Sequence, residues 1–182
     1  MSLAAPSSAD FVAEICAEFP SFSIRKKRGA PLQNAIDVFL RVVTLGGMRT
    51  YLTNYHTVLF GTLWVPDHWD AMSELDKVIL LRHERIHLRQ RKRMGDVLMA
   101  FVYIFPIFPL GLAYGRARIE WEAYEETIRA TIEFLGVDAA RALKRGLIAR
   151  FVGPDYGFMW PFPKMVARWF DEALERISKE TR

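Results

Sequence analysis

Arg82-His83-Glu84-Arg85-Ile86-His87 is the stretch on which the reading of this chain turns. It lies in a run that Ser73 can cap and that continues as helix to about Arg93. In a helix, residues four apart stand one turn above each other on one face. His83 and His87 therefore present two imidazoles to one point, and two imidazoles at that spacing can share a tetrahedral Zn²⁺. Glu84 falls about 100° around the helix, beside such an ion and not on it. From there its carboxylate can take a proton from a water activated by the metal. The competing reading is a helix with two ordinary histidines and a surface glutamate.

A catalytic zinc centre needs a third protein ligand and an open fourth position. The acidic candidates crowd into the next long periodic helix, Arg116–Leu135: Glu120, Glu122, Glu125, Glu126 and Glu133. At about 100° per residue, Arg118, Glu122, Glu125, Glu126, Arg129 and Glu133 gather on one charged side, expected to face solvent. Glu120 falls opposite, among Ala117, Trp121, Ala123, Tyr124, Thr127, Ile128 and Leu135. A carboxylate on an apolar face needs a cation or a metal beside it. Arg116, one turn back, and a metal ion both answer that need.

The rest of the chain frames these helices. With 51% hydrophobic and 13% aromatic residues in 182, and a mean hydropathy of +0.05, it has the apolar content of a folded core and not of a disordered chain. The length points to one domain, residues 1–182, with a core at about 48–135 between N-terminal helices (1–47) and C-terminal helices (136–182). One cysteine, Cys16, excludes an internal disulfide and a cysteine-based zinc cluster. A net charge of +4 is a mild basic bias, and no nucleic-acid-binding motif accompanies it. The N-terminus lacks the basic-then-apolar order of a signal peptide, so a cytoplasmic location is expected, with membrane association left open.

Pattern reading gives a helix-rich α+β chain with one small sheet. Helices are expected over Asp10–Glu18, Leu32–Thr44 (ended by Gly46-Gly47), Val97 to about Phe105, Asp138–Phe151 and Pro163–Lys179. Arg49–Tyr55 and Thr57–Val65 read as two strands. Ser21–Arg28 reads as a basic loop with Lys26, Lys27 and Arg28 in water. Arg82, Arg85, Arg89 and Arg93 form a stripe expected to be solvated or to meet the acidic face of Arg116–Leu135. His56 and His68 read as ordinary loop histidines. The aromatic loop Gly153–Pro163 is expected to pack under the last helix. A sharper reading makes it a cleft wall from which Tyr156 donates to an oxyanion as a second catalytic group beside Glu84.

H-E-x-x-H followed by a helix carrying Glu120-Trp121-Glu122-Ala123-Tyr124 resembles the gluzincin branch of the zinc metallopeptidases, in particular their minimal, zincin-like domains. The resemblance covers roughly residues 48–135. It implies His83, His87 and Glu120 as metal ligands, Glu84 as general base, and Thr57–Val65 as a strand forming an edge beside the cleft. In those families E-x-x-A precedes Asp or Asn, a position that often supports a histidine ligand from behind. Here it is Tyr124, whose phenol can still donate a hydrogen bond. The implied activity is hydrolysis of a peptide or protein substrate by a zinc-bound water. The alternative is a zincin-like binding or regulatory protein of weak or no activity.

Val97–Gly115 is 19 residues without a charge, enough by count to cross a bilayer. Pro106, Pro109, Gly111 and Gly115 favour a bent path. A single span would also part His87 from Glu120, which a shared ion forbids. A packed or re-entrant connection is therefore expected, with peripheral membrane contact through 97–115 left open.

Overall fold

A computed structural model describes residues 7–43, 50–104, 113–153 and 158–181. It is helix-rich with one three-stranded sheet, an α+β architecture. Its contacts divide it into two compact units, Pro6–Leu88 and Arg89–Arg182.

In Pro6–Leu88, helix α1 (Ser8–Glu18) opens where the Ser7 hydroxyl accepts from the Asp10 amide. Strand β1 (Ser23–Lys26), helix α2 (Pro31–Val43), the short helix α3 (Tyr51–Asn54), strands β2 (Thr57–Leu59) and β3 (Thr62–Val65), and a 3₁₀ turn at Asp67–Ala71 follow. Helix α4 (Glu74–Met94) starts as expected, with the Ser73 hydroxyl accepting from the Asp76 amide at 3.1 Å. The sheet order is β1-β3-β2, with β3 parallel to β1 and antiparallel to β2. Leu63 and Val65 of β3 are buried, as are Ile15 of α1 and Val78 and Leu81 of α4. Arg85 ties α4 to α1: it pairs with Glu18 at 2.6 Å and Glu14 at 3.4 Å, and its guanidinium lies over the Phe11 ring.

Four expectations change here. Arg49–Tyr55 is not a strand: Tyr51–Asn54 form a helical turn, and Tyr51 packs its ring inward. Thr57–Val65 is not one strand but a hairpin. Phe60 and Gly61 both take positive φ, 49° and 79°, as a two-residue loop requires. Phe60 in place of the usual Asn or Asp hid that turn. Of the stretch expected to form an edge, β2 is an edge strand, whereas β3 is central. Finally, Ser21–Arg28 supplies β1, and Lys27 is buried completely, not solvated.

Helix α2 is turned against its own pattern. Leu32, Val38, Phe39 and Val42 are exposed, while Gln33 and Asp37 are buried. Gln33 Nε2 and Asp37 Oδ1 have no hydrogen-bond partner among the described residues. Asp37 Oδ2 pairs with Arg41 at 2.8 Å. The glycines expected to end this helix, Gly46 and Gly47, lie outside the described residues.

In Arg89–Arg182, the last turn of α4 leads through Gly95 to α5 (Asp96–Ile104), close to the expected helix. The proline-rich turn after it lies outside the described residues. Helices α6 (Tyr114–Leu135), α7 (Val137–Val152) and α8 (Pro163–Glu180) pack as three around Trp121, Tyr124, Ile128, Phe151 and Phe170. Gly136 joins α6 to α7 at φ 87°, a conformation that costs glycine little. Helix α8 begins with Pro163 and buries Val166, Phe170, Ala173 and Ile177 along one stripe. Met159 and Trp160 of the aromatic loop are buried, and Trp160 stacks on Trp169. Tyr156 lies outside the described residues. The charged side of α6 is partly knitted to α8 through Glu125–Arg176 and Arg129–Glu180. Glu122 and Glu133 are exposed.

At Gly115 α6 comes close to α5: a Cβ there would meet Val102 Cγ1 at 2.5 Å. Gly115→Ala is expected to destabilise this unit by about 1–3 kcal/mol, the usual cost of overpacking. Adding Val102→Ala is expected to return most of that loss. Urea unfolding of the two variants checks it, and an unperturbed single variant would refute the close approach.

Candidate metal centre

Helix α4 carries the histidines in its middle, without a break from Glu74 to Met94. His83 and His87 are each 8% exposed, and their Nε2 atoms stand 3.2 Å apart. The rings are nearly perpendicular, at 77°. Two Nε2 lone pairs at that separation repel unless a proton or a cation lies between them. Two ligands at 2.0–2.1 Å on a tetrahedral zinc stand about 3.3–3.4 Å apart, so the spacing fits one ion.

Gln90 lies three residues beyond His87 and seven beyond His83, on the same face of the same helix. Its Nε2 donates to the Ile119 carbonyl at 2.9 Å and to Glu122 at 3.0 Å. Arg93, one turn on, pairs with Glu122 at 3.1 Å. The last turns of α4 thus rest on α6 on both sides of position 120. Glu120 is 2% exposed, on the apolar side that the helical period gives it. One ligand atom each from His83, His87 and Glu120 lie within 4.8 Å of one another, and all three residues are buried. Two imidazoles and one carboxylate are a donor set that could hold a metal ion.

Glu84 is 5% exposed, in the interior and not on a surface. Tyr124 is buried in the α6–α7–α8 core, where its hydroxyl accepts from Arg150 at 3.1 Å. Of the arginine stripe, Arg93 meets the acidic face of α6, whereas Arg85 turns to α1. His56 sits edge-on to His68 and Trp69, a packing arrangement.

Sequence reasoning missed Lys27. Its Nζ donates to the Tyr51 carbonyl (3.1 Å) and the Thr57 hydroxyl (2.9 Å), and lies 3.5 Å from the Tyr51 ring centroid. No carboxylate pairs with it among the described residues. Burial lowers its pKa to about 7, and the charges of Glu84 and Asp37 offset part of that fall. Nothing in a basic run such as Arg25–Arg28 distinguishes the lysine that turns inward.

That depression sets a pH dependence. Between about pH 7 and pH 10.5 the unfolded chain holds a proton that folded Lys27 has released, so stability rises with pH across this window. Below pH 7 the full cost of burying the charge is present. The stability difference between wild type and Lys27→Met is therefore expected to shift in favour of wild type by a few kcal/mol between about pH 6 and about pH 9.5. Urea unfolding at the two pH values measures it. A difference independent of pH would refute the buried charge.

No family model matches this chain, and neither the curated proteins nor the solved structures contain a significant match to it.

Proposed function

We propose that this chain is a zinc-dependent metallopeptidase with a zincin-like domain of the gluzincin type. The observation that carries the reading is the buried set His83, His87 and Glu120, whose donor chemistry and spacing suit one Zn²⁺. In this reading His83 and His87 hold the ion through Nε2, and Glu120 through a carboxylate oxygen. Bound zinc supplies Lewis-acid activation of a water and of the substrate carbonyl. Glu84 accepts the proton of the attacking water on its carboxylate and delivers it to the leaving amine. Its burial keeps the proton from bulk solvent between the two transfers.

One observation favours a quieter version of the same site. Tyr124 stands where the resembled families place Asp or Asn, and its hydroxyl is engaged by Arg150. A metal-holding protein with little turnover is the second reading.

Zinc content of the purified chain, measured by elemental analysis with hydrolysis of labelled casein before and after chelation, tests both. One zinc per chain and chelator-sensitive cleavage are expected. Zinc without cleavage supports the second reading. A chain that neither retains nor takes up zinc overturns both.

A further inference from the structure

The thirty residues Arg89–Arg118 carry six cations and one acid, whereas the other 152 residues carry 19 cations and 20 acids. The whole positive bias of the chain therefore surrounds α5. The single acid, Asp96, is already paired with Arg91. Helix α5 itself is exposed where a core helix would be covered: Val97 is 85%, Leu98 51% and Phe101 56% accessible. Positions 97 and 101 are 40° apart around the helix and 98 is 100° from 97, so the three share one face. Val102, 40° on from Leu98, is held against Gly115 of α6. The exposed face therefore lies beside the contact with α6, and that contact fixes the helix.

Cations border that face. Lys92 and Arg93 are exposed at the end of α4. Arg118 is exposed, and no carboxylate pairs with it among the described residues; its guanidinium lies over the Trp169 ring at 5.6 Å. Arg93 and Arg118 line one open pocket with Val102, Gly115, Glu122 and Glu125, which places both cations beside α5; of the two carboxylates, Glu122 pairs with Arg93 and Glu125 with Arg176. An apolar helix face edged by cations matches a bilayer with anionic headgroups: acyl chains take the apolar side chains and phosphates take the cations. A second copy of this chain would set like charges against each other around the same patch. No described helix is long and apolar enough to cross a membrane.

We propose that α5 docks this protein on an anionic lipid surface, with Val97, Leu98 and Phe101 entering the acyl boundary and Lys92, Arg93 and Arg118 meeting lipid phosphates. The inference does not depend on the metal reading.

Co-sedimentation of the full chain with phosphatidylcholine vesicles, and with vesicles of equal phosphatidylcholine and phosphatidylglycerol, tests it. Binding is expected to the anionic vesicles only. It is expected to weaken about tenfold or more in Val97→Asp/Phe101→Asp, and several-fold in Arg118→Glu or in half-molar salt. Circular dichroism checks that the substituted chains fold. Phe101→Trp gives a second readout that preserves bulk: its emission is expected to shift to the blue with anionic vesicles. Equal binding to both vesicle types, no binding, or unchanged emission overturns the proposal. So does a dimer by light scattering that Val97→Asp/Phe101→Asp makes monomeric, because a second copy then covers the face.

Discussion

Replacing His87 by alanine is expected to reduce bound zinc from one per chain to a small fraction of that. Loss of a partner outside the ligand set already costs about 10–100-fold in affinity, and loss of a ligand costs more. The remaining imidazole and carboxylate would leave a two-donor site. His87 is 8% exposed, so the vacated volume opens within the protein and a water can fill only part of the ligand's role. Glu120→Ala is the discriminating companion. If Glu120 serves as a ligand, zinc is lost in this variant too. If its carboxylate instead neutralises Arg116, zinc is retained and stability falls by about 3–5 kcal/mol, the cost of stranding a buried charge. Elemental analysis after dialysis, with thermal unfolding of the same samples, separates these outcomes. Unchanged zinc in both variants would remove the site.

Glu84→Gln is expected to show the opposite pattern: full zinc content, with hydrolysis lowered by about 10²–10⁴-fold. The substitution preserves shape and removes only the ability to accept a proton. Glu84 lies on the same helix as the two histidines but 100° away from His83, so the metal set is left intact. The fall should appear in kcat and not in KM, since a base acts in the transition state and contributes little to ground-state binding. Retained turnover would exclude Glu84 as the base. Simultaneous loss of zinc would show that the carboxylate holds the helix in place and does not move protons.

The parts of this protein legible in its sequence are those with a strong period or a strong cap. Helices α4, α6, α7 and α8 were readable because apolar residues recur at helical spacing and Ser73, Gly136 and Pro163 punctuate them. The burial of Glu120 followed from the same arithmetic, as the one carboxylate on an apolar face. The small sheet was not readable in detail. Strands of three or four residues carry too few alternations to fix a boundary, and Phe60-Gly61 hides a tight turn behind a bulky residue. Lys27 was illegible for another reason. Its place is set by partners far along the chain, the Tyr51 carbonyl and the Thr57 hydroxyl, and no local pattern records them. Gln90, which anchors the end of α4 on α6, was hidden in the same way.

Helix α2 is a case of frustration. Its sequence asks for Leu32, Phe39 and Val42 inside and for Gln33 and Asp37 outside, and the fold has the reverse. Local preference and tertiary placement normally agree, and where they conflict the energy gap to competing arrangements narrows. Two buried polar atoms without partners among the described residues add to that conflict. A rotation of α2 about its own axis would exchange the two faces, so the sequence of this helix favours a placement other than the one the fold gives it.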